Sequence, residues 1–383
     1  MNWEKVKLGE IADFSNGINF GKDAYGKGVK LIGVSNFGNR FSPDYESLDE
    51  VKEEVVRKND FLLSGDMVFV RSNGNKELVG RCMLIDCPTV SVTFSGFCIR
   101  ARLKDITKHY PTFWTYHFKN ISFRMAMSGT AVGANIQNLS QGRLSTYEAI
   151  VPDYETQVRI AKVLSAYDNL IENNQKQIKL LEEAAQRLYK EWFVDLRFPG
   201  YEDIEIVDGV PEGWKKANLP EIAPIVTGKK DANFGTTDGK YLFFTCAQEP
   251  IKAPSFSFDC DAVILAGNGD FNVKLYRGQF EAYQRTYVFS PHNSKYLYLL
   301  YYAVKENMRR LFQGASGSTI KFLTKRMLEE ILVFVSDEKT LELFNQNCEL
   351  FQKKIETLKA QISLAQEARD RLLPKLMSGE IEV

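Results

Sequence analysis

Residues 155–193 read ETQVRIAKVLSAYDNLIENNQKQIKLLEEAAQRLYKEWF, and residues 339–377 read KTLELFNQNCELFQKKIETLKAQISLAQEARDRLLPKLM. In the first stretch a 4,3 spacing selects Ile160, Leu164, Tyr167, Ile171, Asn174, Ile178, Leu181, Ala185, Leu188 and Trp192. The same frame in the second selects Phe344, Cys348, Phe351, Ile355, Leu358, Ile362, Ala365, Arg369, Leu372 and Leu376. An apolar period of 3.5 residues held over several heptads predicts a long helix that pairs with another helix. No proline interrupts residues 155–193, and Pro199-Gly200 follows where that helix should stop. At 1.5 Å per residue the first stretch makes a rod of roughly 58 Å. Asn174 is a candidate register pin, because a polar seam residue costs stability but fixes pairing. Arg369 lies near the end of its helix and is expected to reach water.

The two stretches belong to one repeat. A shift of 184 residues places Gly133–Phe193 on Gly317–Met377 without a gap. The matched pairs include Gly133/Gly317, Ile136/Ile320, Leu139/Leu323, Val151/Val335, Asp153/Asp337, Gln177/Gln361, Leu180/Leu364, Glu183/Glu367 and Arg187/Arg371. Upstream, with insertions, Asp66–Val70 resembles Asp261–Leu265 and Trp3 resembles Trp214. Each helix therefore follows its own copy of a globular module. In the first copy Met67–Val70 reads as a strand leading into an Asn-Gly turn at Asn73-Gly74. Strands at Leu78–Ile85 and Val90–Ala101 and a helix at Tyr110–Met127 follow. In the second, strands at Ala262–Ala266, Val273–Tyr276 and Tyr283–Phe289 precede a helix at Lys295–Phe312.

The expected fold class is α+β. Two tandem mixed α/β domains are each followed by a long helix, and the helices pair as an antiparallel coiled coil with a pseudo-twofold repeat. The expected boundaries are a first domain at 1–153, its helix at 154–197 and a connector at 198–213. A second domain follows at 214–337, then a helix and tail at 338–383.

Composition excludes several function classes. The 49 basic and 49 acidic residues give zero formal net charge, unlike a histone-like protein or an acidic disordered tail. Residues 1–153 carry 19 basic and 17 acidic side chains, and 199–336 carry 16 of each, so neither domain is a polycation. An apolar share of 44% supports packed cores. The longest aromatic-aliphatic run, Tyr296–Val304, is too short to span a bilayer, and Met1–Lys5 begins no secretory signal. A soluble, cytoplasmic protein is expected. The six cysteines form no Cys-x-x-Cys pair, and Cys82, Cys87 and Cys98 read as buried free thiols. With three scattered histidines, neither a catalytic zinc site nor a Ser-His-Asp site is expected.

The turns carry the candidate chemistry. Arg71, Asn73, Asn75, Lys76 and Arg81 crowd one hairpin with groups that read guanine and adenine edges. Asn268, Asn272, Lys274, Arg277, Gln284 and Arg285 occupy the corresponding place in the second copy. Two Gly-rich returns, with Thr130 and Asn135 in one and Ser316, Ser318 and Lys321 in the other, could meet phosphates. A polar hairpin is also what any solvated turn looks like, and recurrence in both copies is what favours DNA binding. Catalytic motifs are missing. Leu265-Ala266-Gly267-Asn268-Gly269 imitates a methyltransferase glycine loop, but a strand rather than a helix follows. Asp44 with Glu50-Val51-Lys52 is spaced too closely for a metal-dependent nuclease, and there is no P-loop.

The whole arrangement resembles the specificity subunit of a type I restriction-modification system. The residues that carry the resemblance are Ile150-Val151-Pro152 running into Glu155–Leu164 and Asp168–Ile171, and Trp192–Asp195 ahead of Pro211–Trp214. Gly267–Phe271 with Tyr283–Tyr287, and the ending Leu373–Ile381, complete it. Ser336–Thr340 departs from the family's usual proline and Glu-Gln pair. The resemblance implies two target recognition domains, each reading one half of a split, asymmetric site in double-stranded DNA. It implies that the helices fix the gap and dock two modification subunits that methylate adenine. Restriction subunits would add cleavage, so S-adenosylmethionine, ATP and magnesium are expected in partners and none in this chain. The alternative is a scaffold of two ligand-binding modules joined by a coiled coil, with no role for DNA.

Overall fold

Tyr154–Phe193 form one uninterrupted helix of 40 residues and Glu338–Ser378 a second of 41. Each begins on an aspartate cap: Asp153 Oδ1 accepts from the Thr156 amide, and Asp337 Oδ1 from the Thr340 amide, both at 3.0 Å. The cap therefore survives where Ser336–Thr340 departs from the family's sequence. The computed structural model describes residues 3–38, 40–72, 78–128, 138–269, 271–315 and 321–383. The chain divides into two compact units, Met1–Asn174 with Ala360–Val383, and Gln175–Lys359. Each long helix thus gives one half to each unit.

Every position of the two 4,3 frames is buried or half-buried, whereas the off-frame Leu170, Leu180, Leu350 and Leu364 are exposed. The period, not hydrophobicity alone, selects the packed face. In the first unit Asn174 Nδ2 donates to Gln361 Oε1 at 3.1 Å and Asp168 receives Arg369, so the two segments run in opposite directions. Asn174 is 2% exposed and does pair across the helices, as a register pin should. Arg369 reaches water only in part. Its side chain is 17% exposed and is held between Asp168 and Asp370. Burial works against its charge, but the two carboxylates outweigh it and raise its pKa. In the second unit Phe344 is ringed by Tyr189, Trp192 and Phe193, at centroid distances of 6.3, 6.1 and 4.9 Å.

Within the first unit a four-stranded antiparallel sheet runs Ala12–Asn16, Cys98–Leu103, Met67–Val70, Cys82–Leu84. A three-stranded sheet runs Asp49–Val51, Tyr25–Ile32, Val92–Phe94, with the last pair parallel. Trp3–Lys7 pairs with Glu148–Pro152, bringing the ends of the domain together and handing the chain to its long helix. The stretch Val90–Ala101, expected as one strand, is split by a turn at Gly96-Phe97. A Cβ at Gly96 would meet Asn19 Oδ1 at 1.9 Å, so a larger residue there would push the Asn19 side chain aside. The expected helix Tyr110–Met127 is two helices, Pro111–Lys119 and Ile121–Ser128, separated at Asn120. Phe113, Trp114, Tyr116 and Phe118 of the first pack with Ile160, Ala161 and Leu164 of the long helix. Cys82 and Cys98 are buried, and burial pushes the Cys98 thiol up to about 12. Cys87, by contrast, is exposed in a loop with φ 40°.

The second unit carries a six-stranded sheet in the order Ile225–Thr227, Thr286–Phe289, Phe258–Ala266, Val273–Ala282, Tyr241–Phe244, Ile251–Ala253. All its pairs are antiparallel except Tyr241–Phe244 with Val273–Ala282. Lys215–Asn218 pairs with Leu332–Val335 in the role that Trp3–Lys7 and Glu148–Pro152 play in the first unit. Helix Leu297–Gly314 packs its apolar face into the same core as Tyr189, Trp192 and Phe344. The connector is packed as well: Phe198 is 2% exposed and lies against Trp214 at 4.5 Å. Among the described residues no helix is long and apolar enough to cross a membrane.

Candidate nucleic-acid interface

Both units build their candidate loops on one backbone frame. In the first, strand Met67–Val70 ends at Arg71, whose amide donates to Phe97 O at 2.8 Å and whose carbonyl accepts from Leu139 N at 2.8 Å. In the second, strand Phe258–Ala266 ends at Gly267, whose amide donates to Arg285 O at 2.8 Å and whose carbonyl accepts from Leu323 N at 2.8 Å. The next residue forms a bridge in each case, Ser72 with Asn138 and Asn268 with Phe322. A glycine closes each frame from behind: Gly17 N donates to Cys98 O at 3.2 Å, and Gly228 N to Thr286 O at 3.1 Å. A Cβ at Gly17 would lie 2.3 Å from Phe94 O, and one at Gly228 1.9 Å from Ala282 O. Three chain segments are thereby clamped into one rim with buried strands beneath it, which suits presentation of side chains to a ligand.

On the first rim Arg71 spends Nη1 on Gly96 O at 3.2 Å, which braces the turn, and among the described residues its other guanidinium donors have no hydrogen-bond partner. Arg81 sits at the foot of the hairpin, where its carbonyl accepts from Val70 N at 2.9 Å. Its side chain lines a cavity of about 320 Å3 together with Tyr116, Lys119 and Asp168. Lys119 Nζ donates to Arg40 O at 2.8 Å there, and burial draws its pKa down. Asn73, Asn75, Lys76, Thr130 and Asn135 lie outside the described residues.

On the second rim Gln284 and Arg285 are exposed, and Asn268 is half-buried at the hairpin tip. The Arg285 guanidinium makes no ion pair among the described residues. Lys321 is exposed, with Nζ 4.3 Å from the Phe312 ring centroid. Asn272 Nδ2 donates to Cys246 O at 3.1 Å and Ala247 O at 3.3 Å, and Lys274 Nζ to Ala247 O at 2.9 Å. Those two side chains fasten the hairpin to a neighbouring loop, and burial lowers the Lys274 pKa. Arg277 is not brought to the rim. It is engaged with Glu349 at 3.2 Å, Tyr298 at 3.2 Å and Asp261 at 3.5 Å, so its charge serves the fold. Ser316 and Ser318 lie outside the described residues.

Sequence reasoning missed the aromatic part of the rims. Phe97 is 61% exposed at the turn beside Arg71, in the position that Arg285 takes in the second unit. Phe322 and Phe312, 40% and 50% exposed, flank Lys321. Ser95-Gly96 was the available signal for the first, hidden by the apolar residues on either side.

Residues 1–183 match the type I restriction modification DNA specificity domain. The specificity subunit of the type I restriction enzyme EcoDI, from Escherichia coli, is 35% identical over 176 residues. That match covers 45% of this chain and 39% of that protein, less than two thirds of its length. The putative type I restriction enzyme MjaX specificity subunit of Methanocaldococcus jannaschii is 23% identical over 414 aligned positions, covering 100% of this chain and 94% of that one. The crystal structure of a type I restriction-modification S subunit from M. genitalium shares the fold, with a TM-score of 0.57 at 18% identity, covering 98% of this chain and 96% of that one.

Proposed function

We propose that the chain is a DNA specificity subunit of the type I restriction-modification family, whose domain residues 1–183 match, and that it reads double-stranded DNA in two halves, one for each unit. The observation that carries this reading is the duplicated rim, the same hydrogen-bond frame built twice with different side chains on it. A shared frame with divergent residues is what two readers of two different half-sites require. Arginine pairs with the O6 and N7 edge of guanine, and asparagine or glutamine with the N6 and N7 edge of adenine. Arg71 in the first unit, and Asn268, Gln284 and Arg285 in the second, are the residues that read. Lys321 and the Gly-rich returns contact phosphates and hold the rims in place.

The family's role is recognition, and no catalytic step is assigned to this chain. Two modification subunits dock on the long helices and carry S-adenosylmethionine to adenine in each half-site. Restriction subunits supply cleavage with ATP and magnesium, in the cytoplasm, where the host DNA lies. The long helices set the gap between half-sites. A zero net charge fits such a division of labour, since partners can supply phosphate-neutralising surface while this chain supplies base contacts. The scaffold alternative is not favoured by the family match.

The test is binding by the complex assembled with its modification subunits, at fixed salt, to cognate and scrambled duplexes. Methylation mapping in the host, with and without this gene, supplies the cognate site. Arg71→Ala and Arg285→Ala should each weaken cognate binding by about 1–3 kcal/mol and relax specificity at one base. Unchanged discrimination in both variants would refute the assignment.

A further inference from the structure

Each unit joins its rim-bearing domain to its long helix through a buried tyrosine that donates to a carboxylate. In the first unit Tyr116, 1% exposed on helix Pro111–Lys119, donates to Asp168 Oδ2 at 2.5 Å. The other oxygen of Asp168 receives Arg369 from the second long helix. One carboxylate thus joins the domain to both helices. In the second unit Tyr298, 5% exposed on helix Leu297–Gly314, donates to Glu349 Oε2 at 2.7 Å. Arg277, from strand Val273–Ala282 of the same domain, donates to that oxygen at 3.2 and 3.3 Å and to the tyrosine oxygen at 3.2 Å.

The two sets have the same chemistry but not the same residues. The shift of 184 places Asp168 on Gln352 and Glu349 on Ser165, so the carboxylate sits one helical turn apart in the two copies. Ser165 Oγ still lies 3.5 Å from the Tyr116 oxygen. The cation comes from a helix in one unit and from the sheet in the other. A tie that recurs with its parts reassigned is not merely a trace of duplication. The apolar contacts around it, such as Phe113 and Trp114 against Ile160 and Leu164, hold the surfaces together but are non-directional. A charge-assisted hydrogen bond from a buried donor selects one orientation among those that the apolar surfaces would accept.

We infer that Tyr116 with Asp168, and Tyr298 with Glu349, are positioning pairs that fix the angle of each reading domain on its helix and so set how strictly the complex measures the gap between half-sites. This rests on the DNA-reading proposal above. Tyr116→Phe and Tyr298→Phe keep the ring and remove only the donor. In the complex assembled with modification subunits, methylation is measured on duplexes with the cognate gap and with one base pair more or fewer. Wild type should prefer the cognate gap. Each Phe variant should keep cognate methylation within about threefold while the preference over altered gaps falls by about tenfold. A role in packing alone would lower the methylation of all three duplexes together. A preference unchanged in both variants overturns the inference and leaves the DNA-reading proposal standing. A wild-type complex indifferent to sequence and gap overturns both. If a Phe variant fails to assemble, Asp168→Asn or Glu349→Gln, which keep the shape of the side chain, is held to the same outcomes.

Discussion

His117 occupies an aromatic pocket between Phe113, Trp114, Phe123 and Tyr147 and shares a hydrogen bond with the Tyr147 hydroxyl at 3.1 Å. Among the described residues its Nδ1 has no partner, and burial pushes its pKa from 6.5 down to about 4. Between those values the unfolded chain binds a proton that the folded one refuses. Stability is therefore whole above pH 6.5 and declines as pH falls toward about 4. The full loss is about 3 kcal/mol. Burial pushes His109 in the same direction. The urea midpoint of the intact chain, followed by tryptophan fluorescence from pH 7.5 to 4.5, should slope downward, and His117→Gln should flatten it. An equal slope in the variant would mean that other groups carry the effect. At this scale the sequence was a partial guide. Arg71 and Asn268 were legible because a strand ending in a Gly/Asn turn exposes its next residues. Phe97 was not, because the turn that exposes it interrupts a run, Val90–Ala101, that reads as one strand. Arg277 looked like a reader because its charge was visible and Glu349, 72 residues away, was not.

The long helices show a different balance. Their period settled which face would be buried, and every seam position obeyed it. Ion-pair partners were beyond its reach: Asp168 sits one residue off the frame and 201 residues from Arg369. Asn174 and Arg369 are the seam's polar exceptions, and the repeat counterpart of Asn174 is Leu358, itself 2% exposed. Asn174→Leu should therefore fit the seam and raise stability by about 1 kcal/mol, since Gln361 is exposed and can turn to water. Thermal unfolding would show a higher midpoint. A lower one would mean that the Asn174–Gln361 bond contributes more than the apolar contact that replaces it. A higher midpoint would fit a register pin retained at a cost in stability.

For the molecule as a whole, the repeat was readable from end to end, but the partition of the helices was not. A heptad frame announces that a helix has a partner without saying which segment completes which core. Here the first unit draws Leu376 and Met377 into the core that holds Trp114 and Leu164. Residues 176–193 are the counterparts of 360–377 under the 184-residue shift. A chain cut after residue 197 would lack the segment that completes its unit, yet it would carry a related one with nowhere in its own chain to place it. Two such half-chains can exchange those segments, each finishing the other, in a twofold-symmetric swap. Light scattering of residues 1–197 should report a dimer, and a well-folded monomer would contradict the exchange. On the DNA-reading proposal its two readers would be identical, so the asymmetric target proposed for the full chain would become a palindrome. On that proposal, duplication within one polypeptide is what frees the two halves of the target to differ.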